Sequence, residues 1–233
     1  RVIGRLGVGL DNIDVTACKA RAIEVIPATG ANALAVAEYV IATTMMLTRG
    51  AYLSSAHVAA GKWPRNALSA GRETAGKTLG LVGFGSIGQL TAQLARALGM
   101  NVIAYDPFLP KGASAWALAK QVSLEALLRD ADAVSLHVPL TPETKNLIDA
   151  KSLATMKPTA VLINTARGGI VDEAALAVAL KAGTLGGAAL DVFEPEPLAG
   201  GSPLADAPNC VLTPHIAGVS AEANVRVSHM IAD

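Results

Sequence analysis

Three polar side chains stand where three successive apolar runs end. Arg167 follows the run 160–164 in Asn164-Thr165-Ala166-Arg167-Gly168-Gly169. Glu196 lies just past 187–191, in Asp191-Val192-Phe193-Glu194-Pro195-Glu196. His215 lies just past 210–213, in Thr213-Pro214-His215-Ile216-Ala217-Gly218. A guanidinium presents a planar fork of donors that matches a carboxylate. An imidazole exchanges protons near neutral pH, and a carboxylate beside it favours its protonated form and fixes its orientation. Together such groups can hold a small organic acid, polarise its carbonyl and protonate it as it is reduced. Each alone has an ordinary explanation: a surface or capping arginine, a structural histidine before a helix, glutamates solvated in a Pro-rich loop. Their coincidence at the ends of consecutive strands favours the chemical one. His57 and His229 fall in helical stretches and read as surface residues, and His137 reads as structural or cofactor-lining.

A redox step needs a carrier, and the sequence supplies a place for one. Gly83-Phe84-Gly85-Ser86-Ile87-Gly88 follows an apolar strand and opens a helical pattern, as a dinucleotide fingerprint requires. Gly83 permits the tight turn, Gly85 lets backbone approach a diphosphate, and Gly88 lets helix and strand pack closely. The N–H groups at the helix start, including those of Ser86 and Ile87, suit the diphosphate. Asp106 stands eighteen residues beyond Gly88 at the end of the next strand. A carboxylate there accepts bonds from the adenosine ribose and repels a 2′-phosphate, so NAD is expected over NADP. The alternative is a turn aspartate before Pro107.

The elements that must position these groups are legible. Strands are expected at 78–83, 101–105, 133–137, 160–164, 187–191 and 210–213, with helices at 86–98, 123–129, 151–156 and 172–180 and a last one from about Ser220. This alternation predicts an α/β fold with a doubly wound parallel sheet of Rossmann type. Ahead of it come a short strand at 1–3, a Gly7-Val8-Gly9 turn, a helix from Asp14 and a strand at 24–26. A buried helix is expected from Ala33 to Thr48, then a helical stretch to Gly61 broken by Trp63-Pro64.

Composition excludes several classes. The 233 residues carry 19 Lys+Arg against 19 Asp+Glu, so no basic surplus calls for nucleic acid or a membrane surface. Aromatics at 3% argue against base-stacking modules. Cys18 and Cys210 form no metal-ligand pattern; no metal is expected, and a reducing cytoplasm fits. The chain opens on Arg1 and stops within a helical pattern, so more chain is expected at both ends.

Taken together, the strings Gly7-Val8-Gly9-Leu10-Asp11-Asn12-Ile13-Asp14, Ala35-Val36-Ala37-Glu38, the glycine fingerprint, Thr165-Ala166-Arg167-Gly168-Gly169-Ile170-Val171-Asp172, Ala189-Leu190-Asp191-Val192-Phe193 and Thr213-Pro214-His215-Ile216-Ala217-Gly218 resemble the D-isomer-specific 2-hydroxyacid dehydrogenases over essentially the whole chain. The resemblance implies a hydride transfer between NAD and a small 2-hydroxy or 2-keto acid. Arg167 becomes the substrate-binding arginine, His215 the acid/base and Glu196 its partner. It carries cofactor contacts to Val8, Ser86, Ile87, Asp106, Val138, Thr165, Ala166, Arg167, Asp191, His215 and Gly218, and makes the Val8-Gly9 amides a second carboxylate clamp. A glutamate at Glu196 favours these dehydrogenases over the formate dehydrogenase branch. The implied layout is a remnant of a flavodoxin-like substrate domain at 1–27, an NAD-binding domain at 28–218 and a returning helix at 219–233, with roughly seventy or more residues absent from the front. It also implies a homodimer that uses the helix from Ala33. An NAD-sensing corepressor of the same fold is the alternative, and lactate, glycerate, phosphoglycerate and sulfolactate all stay open as substrates.

Overall fold

The computed structural model describes residues 1–10 and 12–232, so Asp11 of the first string and Asp233 lie outside the described residues. In chain order the elements are β1 (Val2–Arg5), α1 (Val15–Ala20), β2 (Glu24–Pro27), α2 (Ala33–Arg49), α3 (Ser55–Ala59), α4 (Arg65–Leu68), β3 (Thr78–Val82), α5 (Ser86–Ala97), β4 (Asn101–Tyr105), β5 (Lys120–Gln121), α6 (Leu124–Asp130), β6 (Ala133–Leu136), α7 (Ala150–Thr155), β7 (Val161–Asn164), α8 (Glu173–Lys181), β8 (Gly187–Leu190), β9 (Cys210–Leu212) and α9 (Ala221–Ala232).

Strands β6, β7 and β8 bury every residue. Strands covered on both faces read as unbroken apolar runs, and their side chains still alternate between two cores. Leu162 joins Leu127, Leu176 and Leu180 under α6 and α8. Its neighbour Ile163 joins Val36, Val40 and Ala92 under α2 and α5. The sheet order is β5-β4-β3-β6-β7-β8-β9, with every pairing parallel. The chain runs outward from β3 to β5, then crosses back to β6. The order therefore reverses between β3 and β6, where a parallel sheet opens a crevice at its carboxyl ends. Strands β1 and β2 form a separate parallel pair, on which α9 packs by seating Ile231 beside Gly4.

Short polar side chains start the helices by accepting orphan amides. Ser123 takes the Ala126 N–H at 3.2 Å and Asp172 that of Ala175 at 3.0 Å, as the sequence led us to expect. One expectation needs correction, and two short elements, α4 and β5, were not foreseen. Helix α2 is amphipathic rather than buried: Val36, Val40 and Leu47 face the core, whereas Leu34, Glu38 and Met45 face solvent. The stretch to Gly61 is a 3₁₀ turn at Tyr52–Ser54 followed by the short α3, and α4 begins right after Pro64, whose fixed φ suits a helix start. Strand β5 was not expected, because two exposed polar residues at a sheet edge carry no periodic signal. No described helix is long and apolar enough to cross a membrane.

Candidate active site

At the crevice, Gly83 leaves β3 with φ +91°, and a Cβ there would lie 2.5 Å from the His137 carbonyl. A Cβ on Gly88 would lie 2.6 Å from the Gly83 carbonyl, so helix and strand meet as closely as the motif predicts. Gly85, by contrast, has nothing within 4 Å of its Cβ position, and no side chain caps α5. An open approach in front of an uncapped helix start fits a diphosphate. Asp106 braces this turn: one oxygen accepts the Phe84 N–H at 2.8 Å, the other those of Phe108 at 2.9 Å and Leu109 at 3.1 Å. The alternative role as a turn aspartate is therefore realised, and the ribose contact would be additional to it. The Phe84 ring stacks on Trp116 with centroids 5.3 Å apart, and the indole N–H donates to the Pro110 carbonyl at 2.9 Å.

A cavity of about 850 Å³ continues from there along the strand ends. Ile87 is the fingerprint residue that lines it; Gly83, Gly85, Ser86, Gly88 and Asp106 lie outside its lining. Of the other residues expected to touch the cofactor, Val138, Thr165, Ala166, Asp191 and Gly218 line it. Val8 and Gly9 line it from the N-terminal loop, together with Arg167 and His215. Three buried polar atoms in its lining residues have no protein partner: Asn32 Oδ1, His137 Nε2 and Thr165 Oγ1. Buried polar atoms are rarely left so, and this favours a polar ligand. Burial pushes His137 down to about 4, so its imidazole is neutral at physiological pH and unsuited to acid catalysis.

The candidate reacting groups are held from behind. Glu196 accepts the His215 Nδ1–H at 2.7 Å through one oxygen and the Phe193 N–H at 3.0 Å through the other. Glu196 itself is not in the cavity lining; it reaches His215 from behind at Nδ1, and the other ring nitrogen is Nε2. His215 has φ +54°, a left-handed backbone uncommon for a residue with a side chain. Asp191, 1% exposed, locks that turn. Its carboxylate accepts the Thr213 hydroxyl at 2.6 Å and the Ile216 and Ala217 N–H groups at 2.8 and 2.7 Å, and its carbonyl accepts the His215 N–H at 2.8 Å. Tyr39 extends the network from α2, its hydroxyl 2.6 Å from that of Thr213.

The Arg167 loop is fixed by Asn164, whose side-chain amide donates to the Arg167 carbonyl at 2.9 Å and accepts the Ala166 N–H at 3.1 Å. Gly168 packs so tightly on the Phe193 carbonyl that no Cβ fits there. Arginine loop and glutamate loop are thus pressed together. Burial raises the Glu196 pKa, but the hydrogen bonds from His215 and Phe193 and the charge of Arg167 outweigh it and hold the carboxyl below the ordinary range. A carboxylate with a depressed folded pKa contributes its interaction above the unfolded value and loses it as pH falls through the folded one. The advantage of the parent over Glu196→Gln in thermal melting is therefore expected to be present at neutral pH and to vanish as the pH drops below about 4. A gap between the two melting temperatures that did not change with pH would contradict the pairing.

The family model for the D-isomer specific 2-hydroxyacid dehydrogenase, NAD binding domain, matches residues 41–217. The chain belongs to that family. An (S)-sulfolactate dehydrogenase from Chromohalobacter salexigens is 57% identical over 234 residues, covering 100% of this chain and 75% of that protein. A D-3-phosphoglycerate dehydrogenase from Synechocystis is 45% identical over 233 residues, covering 100% of this chain but 42% of its own length. The chain therefore spans three quarters of the first relative and under half of the second. An NAD-dependent formate dehydrogenase from Staphylococcus aureus, solved in complex with NAD, superposes with a TM-score of 0.88 at 34% identity, covering 99% of this chain and 69% of that one. These three relatives are named as dehydrogenases, and none of them supports a corepressor.

In this family member the sequence reading missed Arg5. Its guanidinium donates to the carbonyls of Gly9 at 3.1 Å and Leu6 at 2.7 Å, and the residue lines the cavity together with Arg167. A cation two residues before a Gly-x-Gly turn was the available signal. Trp63 is 78% exposed, and neither it nor Arg65 lines the cavity. Glu194 points away to Lys145, 3.3 Å off. Among the described residues no His, Cys, Asp and Glu group could hold a metal.

Proposed function

We propose that the full-length protein is an NAD-dependent D-2-hydroxyacid dehydrogenase in which Arg167 binds the substrate carboxylate and carbonyl, His215 is the acid/base and Glu196 stabilises its imidazolium. One observation supports this above all: Arg167 and His215 line the same cavity, with Glu196 on the far ring nitrogen of His215. Gly83, Gly85, Ser86, Ile87 and Gly88 would hold the NAD diphosphate and Asp106 the ribose. Val138, Thr165, Ala166, Asp191 and Gly218 would meet the nicotinamide end. When bound, that cofactor supplies or accepts the hydride. The chain's own part is to orient and to move a proton. Arg167 and the Val8-Gly9 backbone clamp the acid, and protonated His215 gives its Nε2 proton to the carbonyl oxygen in reduction. In oxidation the neutral ring takes that proton back, with the charge it gains offset by Glu196.

Arg5 supports a narrower substrate class. Two arginines lining one cavity exceed what a monocarboxylate needs, and the relatives are named for sulfolactate and phosphoglycerate, acids with a second anionic group. NADH oxidation by the full-length protein should therefore be faster with sulfopyruvate or 3-phosphohydroxypyruvate than with pyruvate or glyoxylate. The expected margin in kcat/KM is at least about tenfold, or ~1.4 kcal/mol. Turnover of none of the four would reject the enzymatic reading; equal turnover of all would reject the second anion.

Residues 1–27 and 219–233 fit a substrate domain, since α9 packs on β1 rather than on the large sheet. The solvent-facing Leu34 and Met45 of α2, each 41% exposed, fit a homodimer interface. Asp106→Ala should lower the preference for NAD over NADP by about tenfold, because removing the carboxylate removes the repulsion on a 2′-phosphate. The ratio of the two dissociation constants is the readout, since loss of the Phe84 brace weakens both cofactors alike. An unchanged ratio would leave Asp106 with only its structural role.

A further inference from the structure

We infer that Glu173 is a positioning residue for the acid/base pair: from the first turn of α8 it sets the backbone that carries Glu196 to His215. The inference rests on the functional reading above and adds a residue to it.

The helix does not need this side chain for its own start. Asp172 already caps α8, taking the Ala175 N–H. The Glu173 carboxylate instead leaves the helix and accepts the Glu194 N–H at 3.1 Å, across 21 residues of sequence. The preceding amide, that of Phe193, goes to Glu196. Two consecutive N–H groups of one irregular loop are therefore each taken by a carboxylate, one from within the loop and one from a rigid helix. The Phe193 carbonyl is at the same time pressed against Gly168, next to Arg167. Glu173 is the anchor that ties this wedge to secondary structure. The 2.7 Å contact between Glu196 and His215 depends on where the wedge sits.

The arrangement persists against electrostatics. Burial raises the Glu173 carboxyl pKa, the Glu194 N–H lowers it, and the like charge of the Glu194 side chain raises it again. Lys145, 3.3 Å from the Glu194 carboxylate, offsets part of that repulsion. The Glu194 carboxylate also lies over Gly169, where a Cβ would come within 2.5 Å of it. An acid in a first helical turn would ordinarily gain from the helix dipole alone, and a solvent-facing rotamer would give that without a like-charged neighbour.

The test compares Glu173→Ala with Glu173→Gln in the full-length protein. The glutamine keeps an acceptor oxygen and loses the charge. Losing one such hydrogen bond should lower kcat about tenfold in the alanine variant, with KM within about twofold, and should speed hydrogen exchange of the Glu194 amide about tenfold. The glutamine should restore both to within about twofold of the parent. A helix-dipole role predicts the reverse: both variants equally destabilised, with kcat and Glu194 exchange unmoved. That pattern, or parent-like kcat and exchange in Glu173→Ala, would overturn the inference. If the alanine variant does not fold, Glu173→Asp decides, since a carboxylate one methylene shorter falls short of Glu194 yet keeps the charge. Parent-like kcat and exchange in that variant would equally overturn it. The exchange measurement needs no turnover. A parent inactive on every 2-keto acid therefore rejects the functional reading while leaving the positioning of the loop separately testable.

Discussion

Replacing His215 by alanine in the full-length protein is expected to lower turnover with a 2-keto acid by about 10²–10⁴-fold, the usual contribution of a general acid. NADH affinity should change by less than about threefold, because Asp106 and four of the five residues proposed for the diphosphate lie outside the cavity that His215 lines. The backbone complicates the alanine variant. His215 sits at φ +54°, a region that costs alanine more than it costs asparagine. His215→Asn is therefore the cleaner partner experiment. It suits the left-handed turn that Asp191 binds through Ile216 and Ala217, and it removes the titratable imidazole. Stopped-flow reduction at saturating NADH would read both variants. Rates within threefold of the parent in the asparagine variant would remove His215 from the mechanism.

Arg167→Ala is expected to lower kcat/KM about 10³-fold, as truncating one member of a buried hydrogen-bonded charge pair costs ~2–5 kcal/mol. Arg167→Lys should recover only part of that. An ammonium restores the charge but not the planar two-point grip on a carboxylate. Adding guanidinium at millimolar concentration to the alanine variant should restore turnover, while ammonium should do so less well. The Asn164 clamp holds the Arg167 main chain through its carbonyl and the Ala166 N–H, so the loop itself should survive the truncation. A variant with parent-like KM and kcat would show that the substrate carboxylate is bound elsewhere, with Arg5 the next cation to test.

Much of this was legible in the chain because its signals are local. The interior strands β6, β7 and β8 are mostly apolar runs, interrupted at Ser135 and ended by Asn164, and Asp172 and Ser123 cap the helices they precede. Gly83 and Gly88 show the positive φ and the close approach that their spacing implied. What was missed depends on distant partners. The place of Arg5 in the cavity wall follows from the β1 end of the chain reaching the strand ends of the large sheet, which no local pattern reports. Glu173 looks like any acid in a first helical turn until the loop 21 residues away is seen to donate to it. The exposed stripe of α2 was hidden by its apolar composition, because Leu34 and Met45 read as core when hydrophobicity alone is counted.

The contact between Phe84 and Trp116 has an optical consequence. The chain holds two tryptophans; Trp63 is 78% exposed, whereas Trp116 lies face to face with the ring between Gly83 and Gly85. Any movement of that glycine turn alters the surroundings of a single indole. The protein thus carries a built-in fluorophore beside the glycine turn proposed for the coenzyme diphosphate, and reduced nicotinamide absorbs where that indole emits.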